Sequence, residues 1–357
     1  MIVTIISLII FLGILIFVHE LGHFLAARRM DIRVEEFALG FGPKLWSRQG
    51  EETLYSLRVF PLGGFCSMTG EMPVDEEELD SEEMEIYEEA KSNQRCFFQK
   101  SPLKRLAVLA AGPLMNVILA IVAFVLIFGI YGVPVEGERE PVIGEMMPGQ
   151  PAARAGIEPG DEIVAVQNEE IDNWQEIARF LQEKPGEELT FTVMREDEAK
   201  DFQVTPREDV GTIEEALGAL PPQIRQRVNP FQAVYYGFVQ TASVFAITVQ
   251  GFVQIITEAS TEDLGGPVMI ASIVGQATRT GLENVLNWLA IISVNLAIIN
   301  LVPFPALDGG RIVFVLIELL TGKAVPREKE GWVHMIGFFL LILLMVFIVY
   351  QDIIAFI

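Results

Sequence analysis

The chain alternates long apolar runs with short charged ones. Four of the runs are long enough to cross a bilayer as helices, which takes about 20 residues at about 1.5 Å each. The first covers 1–27 and is broken only by His19, Glu20 and His23. The second covers 105–131 and is uncharged from Leu106 onward. The third, 284–322, carries Pro303 and Pro305, which must interrupt it. The fourth covers 331–357. A fifth run, 230–257, bears no charge but is interrupted by Gln232, Tyr236, Gln240, Thr248 and Gln254. It reads as an amphipathic helix along the outer interface or against the bundle, within a linker region 207–283. The first run lacks the basic leader and small-residue cleavage site of a secretion signal, so it reads as a retained helix.

Basic flanks orient the helices. Arg28, Arg29 and Arg33 follow the first run, Lys104 and Arg105 precede the second, and Lys323, Arg327 and Lys329 separate the third from the fourth. With these flanks in the cytoplasm, both chain ends and the 132–283 region lie outside. A crossing at 230–257 would reverse the third helix and move the basic 323–329 loop outside, so it is not counted as a span.

Two stretches between the spans have a different character. Residues 28–104 form a cytoplasmic-side β-loop region, with short strands at Val34–Leu39 and Glu52–Phe60 and turns at Gly40–Pro43 and Gly63–Gly64. Such glycine-rich hairpins offer an edge to which an extended peptide can pair. The acidic run Glu71–Glu89 reads as a solvated face; it has no EF-hand spacing, and no site is assigned to it. Residues 136–206 are soluble in character: a strand at 141–144, a short Ala-rich helix after Pro151, a Pro159-Gly160-Asp161 turn, a helix at Trp174–Glu183 and a strand at 188–195.

Composition narrows the function classes. The chain of 357 residues is 51% hydrophobic with a formal charge of −23, and its mean hydropathy is +0.40. An acidic membrane protein follows, and nucleic acid is excluded as a partner because the summed field repels phosphate. Two cysteines, Cys66 and Cys96, leave no disulfide framework and no Cys-based zinc knuckle. P-loop and dinucleotide glycine motifs are absent from the sequence.

The chemistry concentrates in His19-Glu20-Leu21-Gly22-His23, a HExxH motif. On a helix the two imidazoles face one way and can chelate one Zn²⁺, with Glu20 beside them to take a proton from an attacking water. Ionisable groups inside a membrane helix cost about 2.5–3.5 kcal/mol each on insertion scales and have no apolar use there. With Arg28 at the cytoplasmic interface, His19 sits about 14 Å deeper. The third protein ligand is Asp308 or His334. Asp308 is favoured, because Pro303 and Pro305 break the helix before it and the topology brings it to the same half of the membrane. His334 falls near the start of the fourth helix, at the interface.

HExxH in the first helix together with Asn300-Leu-Val-Pro303-Phe-Pro-Ala-Leu307-Asp308-Gly309 resembles the site-2 protease family of intramembrane zinc metalloproteases. Gly112-Pro113-Leu-Met-Asn116 resembles that family's Gly-Pro-x-x-Asn signature, and Phe60-Pro-Leu-Gly-Gly-Phe65 its membrane-associated β-loop. Residues 136–206 resemble a bacterial PDZ domain, which captures extended peptides or C-termini by strand addition. The likeness runs through nearly the whole chain and is nearest to the family's sigma-E-regulating bacterial type with one PDZ domain. It implies a polytopic α-helical membrane protein of four transmembrane helices with a membrane-associated β-hairpin region and an inserted extracytoplasmic PDZ domain. It further implies Asp308 as third zinc ligand, Asn295 and Asn300 as holders of substrate backbone, and a bacterial inner-membrane location. The implied substrates are pre-trimmed single-span proteins, such as anti-sigma factors or signal-peptide remnants. The competing reading is a non-catalytic membrane scaffold that recruits partners through its PDZ domain.

Overall fold

The computed structural model describes residues 2–72, 79–135, 141–147, 149–207, 213–221, 224–258 and 266–356; residues 73–78 of the acidic run and 136–140 of the expected PDZ segment lie outside these. The chain divides into two compact units, one of Met1–Tyr131 with Asn229–Ile357 and one of Gly132–Val228.

The first unit begins with α1 (Ile2–Arg29), whose last turn carries Arg28 and Arg29 where cations suit the helix dipole. Two strands follow, β1 (Val34–Gln49) and β2 (Leu54–Met68). Glycines with positive φ at Gly40, Gly42 and Gly63 bend them so sharply that each contributes two paired halves to one small sheet. Residues near Val34–Leu39 pair with Gly64–Met68 on one side and with Leu54–Leu57 on the other, and Leu54–Leu57 pair in turn with Trp46–Gln49. The expected short strands are therefore halves of two long bent ones. Phe37 anchors the sheet on α1 through ring contacts with Phe17 and Phe24.

After the acidic helix α2 (Ser81–Ser92) comes α3 (Pro102–Tyr131). It runs antiparallel to α1: Gly22 meets the Ala111 carbonyl and His19 meets Asn116. A Cβ on Gly22 would come within 2.3 Å of that carbonyl, so the backbones approach as closely as they do only because no side chain stands between.

The second unit holds β3 (Val133–Pro134), β4 (Glu145–Met146), α4 (Pro151–Ala155), β5 (Glu162–Val166), β6 (Glu169–Glu170), α5 (Trp174–Glu183), β7 (Leu189–Arg195), β8 (Glu198–Val204), α6 (Ile213–Leu217), β9 (Ala219–Leu220) and β10 (Arg225–Gln226). Its main sheet has the order β6-β5-β7-β8, with β4 paired to β9 and β3 to β10. Alternation in β7 buries Leu189, Phe191 and Val193, which pack with Ile163, Trp174 and Ile177 into one core. Asn173 caps α5 by accepting from the Glu176 N–H.

The first unit resumes with α7 (Pro230–Glu258), α8 (Pro267–Thr280), α9 (Leu282–Leu301), α10 (Asp308–Thr321) and α11 (Arg327–Phe356). Among the described residues, α1, α3, α7, α9 and α11 are long and apolar enough to cross a membrane. The expected third helix is two helices, α9 and α10, separated by 302–307. The expected linker contains α8, which Pro267 starts and Gly281 stops. The amphipathic helix α7 packs on the bundle. Ala233 lies against Gly129, Tyr236 against Phe128 and Gly237 against Val125 and Ile121, so α7 runs back along α3. Asp352, near the end of α11, accepts the Gly266, Val268 and Met269 N–H groups and so caps α8, while Gly275 of α8 rests on Thr4.

Candidate metal centre

His19 and His23 stand one turn apart on α1 and are both buried. Asp308 arrives from the opposite direction as the first residue of α10. It is brought there by the break at 302–307, where Ala306 adopts a φ of 81°. The loop folds so tightly over α10 that a Cβ on Gly309 would lie 2.2 Å from the Val302 carbonyl and one on Gly310 2.4 Å from that of Phe304. Both positions after Asp308 therefore need glycine. The Ala306 N–H is taken by His334 Nδ1 at 2.9 Å, which ties the loop to α11.

The ligand-bearing atoms form a nearly equilateral triangle. His19 Nε2 and His23 Nε2 are 3.2 Å apart, and Asp308 Oδ2 lies 3.2 Å from the first and 3.3 Å from the second. Adjacent ligand atoms of a tetrahedral zinc with bonds of about 2.0–2.1 Å are separated by about 3.3–3.4 Å. Asp308 Oδ2 is buried and makes no hydrogen bond of good geometry. Converging lone pairs of this kind repel unless a proton or a cation stands among them, so the donor set fits zinc in chemistry and in spacing.

The surrounding atoms orient the ligands. His23 Nδ1 faces the Val108 carbonyl of α3 at 2.9 Å. His19 Nδ1 faces Asn116 Nδ2 at 3.1 Å, and Ser293 Oγ donates to the Asn116 carbonyl at 2.8 Å. Gly112 lies under both imidazoles: a Cβ there would come within 2.3 Å of His23 Nε2. Glu20 is partly exposed and turns toward β2, where its Cγ would be 3.4 Å from a Cβ on Gly64.

His19, His23 and Asp308 thus come together, with Glu20 next to them. Asn295 is engaged by Thr248 of α7, whose hydroxyl donates to Oδ1 at 2.9 Å, and Asn300 is half-buried in the last turn of α9. His334 is not part of the cluster. It is buried, and it lines a cavity of about 150 Å³ together with Arg105, Arg311, Arg327 and Glu330. Sequence reading missed the Val108 carbonyl, which carries no side-chain signal. It also missed Ser293, whose signal was a hydroxyl in an otherwise apolar helix.

Two imidazoles and one carboxylate would supply three protein ligands to a zinc ion and leave its fourth position free, and such a free position separates a hydrolytic metal site from a structural one. The class is that of a metallopeptidase seated among membrane-length helices. The chain belongs to Peptidase family M50, whose pattern matches residues 7–344. It is 35% identical to the zinc metalloprotease RasP of Geobacillus kaustophilus, over 98% of this chain and 97% of that protein. It is 34% identical to a putative zinc metalloprotease of Clostridium acetobutylicum, over 98% and 97%. With the regulator of sigma-W protease RasP of Bacillus subtilis it shares 32%, over 98% of both chains.

Proposed function

We propose that this protein is an intramembrane zinc metalloendopeptidase of regulated proteolysis, with His19, His23 and Asp308 as zinc ligands and Glu20 as general base. The carrying observation is the 3.2–3.3 Å triangle of His19, His23 and Asp308 atoms. Zinc held there supplies Lewis acidity that polarises a scissile carbonyl and acidifies water. Glu20 takes the proton of the attacking water on its carboxylate and gives it to the leaving amine. Val108 holds His23 by its ring nitrogen, so the imidazole cannot rotate away. Asn295 and Asn300 hold the substrate backbone, and the Gly64–Met68 segment beside Glu20 offers an edge to which an unwound substrate can pair.

Four crossings, α1, α3, α9 with α10, and α11, account for the bundle. The start of α7 lies beside the end of α3, and α8 begins beside the end of α11 and packs on the start of α1. We read α7 as packed on the spans without completing a fifth, because a fifth crossing would carry the basic 323–329 loop to the outside. Basic flanks then face the cytoplasm, and the chain ends and the Gly132–Val228 unit face outside a bacterial inner membrane. That unit reads as a PDZ domain that takes extended peptides or new C-termini. The sigma-W regulator name of the Bacillus relative supports anti-sigma factors, trimmed to a single span, as the substrate class.

The test is zinc content of the full-length protein in detergent, alongside cleavage of a reporter single-span substrate. One zinc is expected in the wild type and in Glu20→Gln, whose turnover falls by about 10²–10⁴-fold, and weakened zinc in Asp308→Ala. Wild-type protein without zinc would defeat the ligand assignment. Glu20→Gln with undiminished cleavage would defeat the base.

A further inference from the structure

We infer that Asn116 is a positioning residue for the metal centre: its side-chain oxygen accepts the Nδ1–H of His19 and so selects the tautomer that leaves Nε2 free to bind metal. This inference rests on the reading of His19, His23 and Asp308 as zinc ligands.

The two imidazoles are treated differently by their neighbours. His23 Nδ1 faces a backbone carbonyl, which can only accept. Its proton therefore sits on Nδ1, and Nε2 presents a lone pair to Asp308 and His19. His19 Nδ1 instead faces an amide, which can offer either an oxygen or a nitrogen. With Nδ2 toward the ring, as in this structure, Nδ1 must carry the lone pair and Nε2 the proton. That proton faces the lone pair of His23 Nε2, 3.2 Å away. This pairing suits the metal-free cluster and cannot coexist with ligation through Nε2.

A half-turn of the amide exchanges its oxygen and nitrogen within almost the same volume. Asn116 is fully buried and its Oδ1 has no hydrogen-bond partner. One amide atom stays unpaired in either orientation, so the histidine decides between them. The oxygen faces His19 when metal is bound, and the nitrogen faces it when the proton replaces the metal. Ser293 holds the Asn116 backbone carbonyl, which keeps the side chain over His19 in both states. A partner of this kind raises ligand basicity and fixes ring orientation, and its loss typically costs about 10–100-fold in metal affinity.

Zinc affinity of the full-length protein in detergent, measured by competition with a chromogenic chelator, tests the inference, with thermal midpoints of the zinc-free forms recorded in parallel. Asn116→Leu keeps the volume and removes the acceptor, so affinity is expected to fall about 10–100-fold with little change in the zinc-free midpoint. Asn116→Asp accepts but cannot donate, so its affinity is expected to stay within a few-fold of wild type. Wild-type affinity in Asn116→Leu overturns the inference, as does a lower zinc-free midpoint in both variants with affinity unchanged. If the Leu variant does not fold, Asn116→Asp decides alone, since a fall there means that the site needs the amide nitrogen. A wild-type protein that holds no zinc would instead remove the ligand reading on which the inference stands.

Discussion

Gly112 shows how much a single missing atom decides. His23 Nε2 occupies the space that any side chain at this position would fill, with His19 Cε1 only 2.9 Å from it. Gly112→Ala is expected to push the rings off the triangle and lower zinc affinity by about tenfold or more, on the scale of lost ligand support, while helix content by circular dichroism stays unchanged. Asp161, in the Pro-Gly-Asp turn of the second unit, has a structural role of another kind. Burial pushes its carboxyl up, but hydrogen bonds from Arg195 and the Glu158 N–H, with the guanidinium charge, more than offset this and hold it below its ordinary value. A carboxylate depressed in the folded state contributes stability that is present above its unfolded pKa of about 3.9 and is lost as pH falls through the folded one. Asp161→Asn should therefore lower the unfolding midpoint of the second unit at neutral pH. The gap from wild type should close below about pH 4, and a gap that persists there would refute the charge account.

At the level of elements, the end of β2 is held by two arginines from different helices. Arg327 of α11 donates to the Gly70 carbonyl at 3.0 Å and to that of Met72, and its guanidinium lies 4.3 Å over the Phe98 ring. Arg311, one turn beyond Asp308, pairs with Glu71. The hairpin beside Glu20 is thereby tied to the helix that delivers the third ligand. Arg327→Ala removes charge-assisted bonds worth about 2 kcal/mol, so local opening and proteolysis near residue 72 should rise about thirtyfold with zinc content unchanged. Equal proteolysis of variant and wild type would show that the clamp is idle. The strand pattern of 34–68 was legible because aromatic and branched residues alternate between glycines. Its joining into two bent strands was not, because glycine signals a permitted bend without saying whether pairing continues beyond it. The helix α8 also escaped notice, although Pro267 and Gly281 frame it, because its own run is short and its place to pack comes from α1, α9 and Asp352, distant in sequence.

For the whole molecule, the proposed orientation yields a direct test. Single cysteines at Met147 in the second unit and Glu85 in α2, both exposed, can be probed with an impermeant maleimide on intact spheroplasts. Met147→Cys should label at once and Glu85→Cys only after lysis; the reverse pattern would invert the proposed topology. Family membership, membrane-length helices and the meeting of Asp308 with His19 and His23 were legible in the sequence. Each depends on residue type and short-range spacing: 20 apolar residues span a bilayer on their own, and two histidines four apart share a helix face whatever surrounds them. The tertiary structure alone decided that α7 packs back along α3, that His334 holds a loop and stands outside the cluster of His19, His23 and Asp308, and that a carbonyl and an amide stand behind the two imidazoles. Those outcomes turn on which backbones approach within a few ångströms across 28, 85 or 97 residues of chain, and across about a hundred for α7 and α3. Side-chain identity at one position carries no record of such distances.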